Sequence, residues 1–132
     1  MSHPSVERWH QIVRDRNPAA LEALVADDAV FFSPIVHAPQ RGKALTTLYL
    51  SAAFQVFFNP SFRYVRELCG PSDAVLEFET EINGILVNGV DMIRFDDEDR
   101  IVEFKVMLRP LKAIQLIHAQ MGEVLKTMQA PK

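Results

Sequence analysis

The chain has one cysteine, Cys69, so no intrachain disulfide is available to it. A lone thiol fits a reducing compartment, and the expected location is the cytoplasm. No apolar run approaches the roughly 20 residues of a membrane-spanning helix, and the start MSHPSVERWH lacks a signal-peptide core. Positive charge is scarce and scattered: 14 Lys and Arg against 17 Asp and Glu give a net charge of −3, which offers no field for nucleic acid. No His, Cys, Asp or Glu set has metal-ligand spacing, and no nucleophile elbow, phosphate loop or dinucleotide fingerprint is present. Neither a metal nor a cofactor is therefore expected. What remains, over 132 residues, is one domain long enough to bury a core without staples.

The most informative stretch is Gly84–Pro110, GILVNGVDMIRFDDEDRIVEFKVMLRP. It reads as two strands joined by the acidic turn Asp96-Asp97-Glu98-Asp99. Counting by twos puts Val87, Gly89, Asp91, Ile93 and Phe95 on one face of the first strand. In the second, Val102, Phe104, Val106 and Leu108 share a face, opposite Ile101, Glu103, Lys105, Met107 and Arg109. An acid among Val, Ile and Phe is costly to bury unless it is paired, hydrogen-bonded or protonated.

The rest of the chain falls into place around this hairpin. Ser2 and Pro4 start a helix with Val6, Trp9, His10 and Val13 on one stripe. Asn17 as N-cap, with Pro18, opens a second helix that Asp27-Asp28 closes. Ala29 to Ser33 is the first strand, and Pro34, Pro39 and Gly42 mark an irregular connection holding a short edge strand. Gly42 to Phe58 is a third helix, apolar on more than one side. After a strand over Phe62–Cys69, Ala74, Leu76, Phe78, Thr80 and Ile82 alternate inward, with Val75, Glu77, Glu79 and Glu81 outward. Asn83-Gly84 is a tight hairpin turn. A last helix spans about Leu111 to Met128, and Gln129 to Lys132 form a loose tail. Helices covering one face of a strongly curved antiparallel sheet make an α+β domain.

At ADDAVFFSP and NGVDMIRFDDEDRIVEF the chain resembles the nuclear transport factor 2-like superfamily, in its SnoaL-like polyketide cyclase and ketosteroid isomerase-related branch. The resemblance runs from Val6 to Met107. It rests on the A-D-D-A phrase, the S-P…P…G connection and the D-x-x-x-F-D…I hairpin. It implies a cystatin-like cone, with the sheet wrapped around an apolar pocket and the helices as its stopper. Fold alone does not settle activity in such a group. Ketosteroid isomerases use an Asp base together with a Tyr and a protonated Asp that hold the oxyanion. The resemblance places Ser33 at the base, Trp9 at the tyrosine and Asp91 at the protonated acid. A last-strand acid that activates water in limonene epoxide hydrolase-like members corresponds to Val106, so that chemistry is not expected.

The catalytic candidates are therefore Asp91, His10 and His37, the histidines standing in for the base that Ser33 cannot be. Trp9, Ser33, Tyr49, Phe78, Phe104 and Val106 are candidate ligand contacts. For Asp91 two readings stand side by side: a neutral acid with a raised pKa, or a carboxylate paired with Arg94, Arg109 or backbone donors. The expected function is binding a small, largely apolar polyketide-, steroid- or terpenoid-like molecule, with cofactor-free isomerisation, cyclisation or dehydration as its catalytic form. The alternative is a non-catalytic binding or association module. A cavity on the order of 300 Å³ beside Asp91 separates pocket from plug. A homodimer is expected through the outer sheet face, where Val75, Val90, Met92, Ile101 and Met107 alternate with charges.

Overall fold

The computed structural model describes residues 3–128. The expected tail at Gln129 to Lys132 and the helix start at Ser2 lie outside those residues. Helix α1 spans Pro4–Asp15, and its cap is His3, whose Nδ1 accepts the Ser5 backbone N–H at 3.1 Å. Asn17 makes no capping hydrogen bond, and Pro18–Ala20 forms a single 3₁₀ turn before a one-turn helix α2, Leu21–Leu24. The first strand, β1, starts earlier than its acidic pair suggests: Val25–Phe32, with Asp27 and Asp28 exposed inside it. A register shift between Val25 and Val30 accommodates the two acids, which stay in solvent. The short β2, Gln40–Arg41, follows the proline-rich connection, and α3 covers Lys43–Phe57. Then come β3, Arg63–Cys69; β4, Asp73–Ile82; β5, Ile85–Phe95; β6, Ile101–Arg109; and helix α4, Leu111–Met128.

The strands form one curled, unclosed mixed sheet in the order β2-β1-β6-β5-β4-β3. All neighbours are antiparallel except β1 and β6, which run parallel. The β4–β5 hairpin keeps unbroken register from Ile82↔Ile85 to Asp73↔Arg94. Its turn is Asn83-Gly84, both at positive φ, as a two-residue turn matched to strand twist requires. Ala74, Leu76, Phe78, Thr80 and Ile82 are buried, as are Val87, Gly89, Asp91, Ile93 and Phe95. A Cβ at Gly89 would sit 2.5 Å from the Phe78 ring and 2.9 Å from the Met107 carbonyl oxygen. The glycine is what lets Phe78, its cross-strand partner, lie over β5 next to Asp91.

Two further register shifts depart from simple alternation. Between β5 and β6 the pairing passes from Arg94↔Glu103 to Phe95↔Ile101, leaving Val102 as the extra residue. That one insertion turns Ile101 inward, where it is 0% exposed, so it belongs to the core and not to the outer face. Between β3 and β4, Tyr64↔Phe78 gives way to Arg66↔Glu77, and Val65 is the extra residue.

Two apolar clusters fill the inner side. The larger joins α1, α2 and α3 to the strands through Val6, Trp9, Leu21, Leu50, Leu76 and Phe104. The smaller packs Ala113 and Ile117 of α4 against Val56, Phe57, Phe78, Ile82 and Val87. Thr80 Oγ1 donates to the Phe57 carbonyl at 3.2 Å, tying the end of α3 to β4. Among the described residues no helix is long and apolar enough to cross a membrane.

Candidate functional site

Asp91 lies mid-strand on β5, opposite Leu76 on one side and Val106 on the other, and is 6% exposed. Arg94 pairs with Glu103 at 2.8 Å, and Arg109 donates from Nε to Asn88 at 2.8 Å, so neither arginine reaches it. Its hydrogen bond comes from Tyr64, whose hydroxyl donates to Asp91 Oδ2 at 2.9 Å. Trp9 Nε1 in turn donates to the Tyr64 oxygen at 2.8 Å. The result is a directed chain, indole to phenol to carboxyl, with all protons pointing toward Asp91.

The electrostatics follow from the surroundings. Burial pushes the Asp91 carboxyl up to about 7, with the Tyr64 hydrogen bond a smaller opposing effect. Burial also raises the Tyr64 hydroxyl well above its ordinary value, with the nearby Asp91 charge adding to the rise. Tyr64 is therefore a permanent donor, and Asp91 changes charge near neutral pH. Replacing Tyr64 with Phe is expected to move the Asp91 pKa above 7, because the interaction that favours its charged form is gone. It also leaves the buried Trp9 N–H without its acceptor, at a cost of about 1–3 kcal/mol. Carboxyl-carbon NMR and denaturant unfolding check both effects; an unchanged or lower pKa contradicts the first.

Asp91 opens on a cavity of about 30 Å³ lined by Trp9, Phe57, Phe58, Phe62, Phe78, Phe104 and Val106, among others. Among the described residues that line it, Asp91 is the one ionisable group. This is room for water or a single polar group, well below the expected 300 Å³. A second chamber of about 200 Å³ lies against it, sharing Ala53, Phe57 and Val106 as walls. Phe31, Ser33, Tyr49, Ile117 and Met121 help enclose this outer chamber.

The expected site residues thus divide. Trp9, Phe78, Phe104 and Val106 line the inner cavity with Asp91, while Ser33 and Tyr49 line the outer chamber. The Ser33 hydroxyl accepts the backbone N–H groups of Ile35 at 2.9 Å and Val36 at 3.3 Å, which fits a turn-holding role. His10 faces away from the cavity: Nε2 sits 2.9 Å from Glu67 Oε2, and its ring packs edge-on against Tyr64 at 5.1 Å. His37 is exposed in the proline-rich connection and lines a separate, more open surface pocket that shares Ser33, Pro34 and Val106 with the outer chamber but does not include Asp91. Neither histidine stands beside Asp91. Trp9 does not donate to Asp91 directly; Tyr64 stands between them. Sequence alternation overlooks Tyr64 because the bulge at Val65 is what turns it inward. The signal available was a strand tyrosine, which needs a hydrogen-bond partner when buried, near an acid that needs a donor.

A family model described as a SnoaL-like domain matches residues 6–104. The crystal structure of a steroid delta-isomerase from Pseudomonas aeruginosa is 36% identical, with a TM-score of 0.90 over 96% of this chain and 93% of that chain. A protein with a cystatin-like fold from Silicibacter pomeroyi is 27% identical, with a TM-score of 0.86 over 97% of this chain and 88% of its own. An NTF2-like protein from Mesorhizobium loti shares the fold at 22% identity and a TM-score of 0.69, over 80% of this chain and 88% of that one. No curated protein matches the sequence significantly.

Proposed function

We propose that this chain, which belongs to the SnoaL-like domain family, binds a small, largely apolar carbonyl compound and isomerises it with Asp91 as the proton-transferring group. The observation that carries this reading is a carboxyl poised at about 7 in an aromatic cavity, held by the Trp9–Tyr64 chain. A group with its pKa near the working pH transfers protons in both directions with the least mismatch. As a carboxylate, Asp91 would take a proton from the carbon between a carbonyl and an alkene. As an acid, it would return that proton further along the chain of carbons, leaving a conjugated enone. The steroid delta-isomerase likeness at 36% identity supports the class of reaction.

The test uses a bicyclic β,γ-unsaturated ketone and follows the ultraviolet band of the conjugated product. Conversion whose rate tracks a single ionisation near pH 7 supports the reading. A second reading, binding without turnover, is favoured by the absence of any other ionisable group from the inner cavity lining among the described residues. Calorimetric binding of the ketone with no conversion at any pH would decide for it.

The homodimer is part of the same proposal. With Ile101 in the core, the outer face keeps Val75, Val90 and Met92 beside Met107, which is 49% exposed. Cross-strand pairing sets Val75 opposite Met92 and Val90 opposite Met107, giving one contiguous apolar strip. A standard interface buries about 800 Å² per partner. Sedimentation equilibrium is expected to show a dimer that Met107→Glu weakens; a wild-type monomer at micromolar concentration contradicts it.

A further inference from the structure

The family match ends at residue 104, yet the helix beyond it, α4, supplies Ile117, His118, Met121, Gly122 and Leu125 to the outer chamber. The chamber is walled on its other sides by Phe31, Tyr49 and Phe57, so its interior is apolar. An apolar cavity of about 150 Å³ stays dry and accepts benzene. At about 200 Å³ this one accommodates one or two fused rings.

Gly122 is out of place by helix propensity alone. A glycine inside a helix costs about 1 kcal/mol relative to alanine, and α4 continues for six residues beyond it. No packing constraint demands it, since a Cβ there would meet nothing within 4 Å. One turn earlier on the same face stands His118, exposed like Gly122, and Val36, from the connection after β1, is the third exposed residue of the lining. Being the exposed members of the lining, these three mark the side of the chamber that meets solvent, and at Gly122 that side has no side chain.

We infer that the chamber under α4 is a hydrocarbon subsite for a one- or two-ring ligand body, and that Gly122 determines specificity by keeping its mouth open. The inference rests on the proposed function only for the direction of the ligand, whose carbonyl-bearing end would lie toward Asp91 past Ala53, Phe57 and Val106. A larger residue at position 122 projects into the opening and excludes the ring.

The experiment measures equilibrium binding of naphthalene and 2-naphthol to the full chain, Gly122→Leu, Gly122→Ala and Asp91→Asn. Gly122→Leu is expected to lose at least about tenfold in naphthalene affinity. An equal or higher melting temperature shows that this variant folds. Gly122→Ala, with its single methyl, is expected to lose less than Gly122→Leu. Naphthalene affinity unchanged within about twofold in Gly122→Leu, or no naphthalene binding to the wild type, overturns the subsite. The Asp91 arm reads the other proposal separately. Wild type preferring 2-naphthol over naphthalene, with that preference lost in Asp91→Asn, supports the direction of the ligand. Naphthalene binding that Gly122→Leu abolishes, without any 2-naphthol preference, leaves the subsite standing and removes the polar end from Asp91.

Discussion

Asp91→Asn is expected to be more stable than the wild type above pH 7 and nearly equal to it near pH 4, and to lack the proposed isomerisation. The folded carboxyl sits at about 7, against an unfolded value near 3.8. Between those values the folded chain holds a proton that the unfolded chain has released. Wild-type stability is therefore complete below about pH 3.8, falls as pH rises toward 7, and is flat beyond, as far as this group is concerned. The gap of about three pH units corresponds to a few kcal/mol, on the order of 4 at most. Asparagine never ionises, and its carbonyl still accepts the Tyr64 proton, so the variant lacks this loss. Thermal unfolding of both proteins from pH 4 to pH 8 gives the comparison, and the difference should grow with pH. A variant less stable than wild type at pH 8 would mean that Asp91 is a structural anion after all. The proposed isomerisation is lost because an amide neither takes nor returns a proton at neutral pH.

Deleting every residue after Pro110 is expected to produce an aggregating or strongly destabilised protein. Helix α4 inserts Ala113 and Ile117, both fully buried, against Phe57, Phe78, Ile82 and Val87. Burying a residue such as Ile117 contributes about 1.5–3 kcal/mol by itself, and the deletion also returns part of the aromatic cluster to water. Together these reach on the order of 5 kcal/mol, comparable to the whole stability of many domains. The outer chamber loses one wall in the same step, so ring binding should disappear with it. The milder Ile117→Ala should cost about 2–5 kcal/mol by cavity formation, read from the urea midpoint. A soluble truncation with an unchanged melting temperature would show that the helix is an accessory.

The hairpin architecture was legible in the chain because its signals are local. Strict alternation through Ala74–Ile82 and Val87–Phe95 fixes which side chains turn inward, and Asn83-Gly84 fixes the turn and hence the register. The bounds of α4, Leu111–Met128, follow from helical periodicity after Pro110. Asp91 stood out for the same reason, as a carboxyl in the inward phase of an apolar strand. Its partner did not. Counting back from Cys69↔Ala74 without a bulge sets Val65 against Phe78 and turns Tyr64 outward opposite Glu79. The observed pairing is Tyr64↔Phe78. The same one-residue slip at Val102 moves Ile101 from the surface to the core. A bulge costs little along its own strand, and its place is chosen by what the inserted residue lets the neighbouring side chains reach across the sheet. At Val65 the gain is the Trp9–Tyr64–Asp91 chain, whose three members lie 55 and 27 residues apart in sequence. The division into two chambers is decided in the same way, by Ala53 and Phe57 of α3 and Val106 of β6, which line both of them. Alternation reports the phase of a strand relative to itself; only the assembled sheet and helices determine the phase of one strand relative to another.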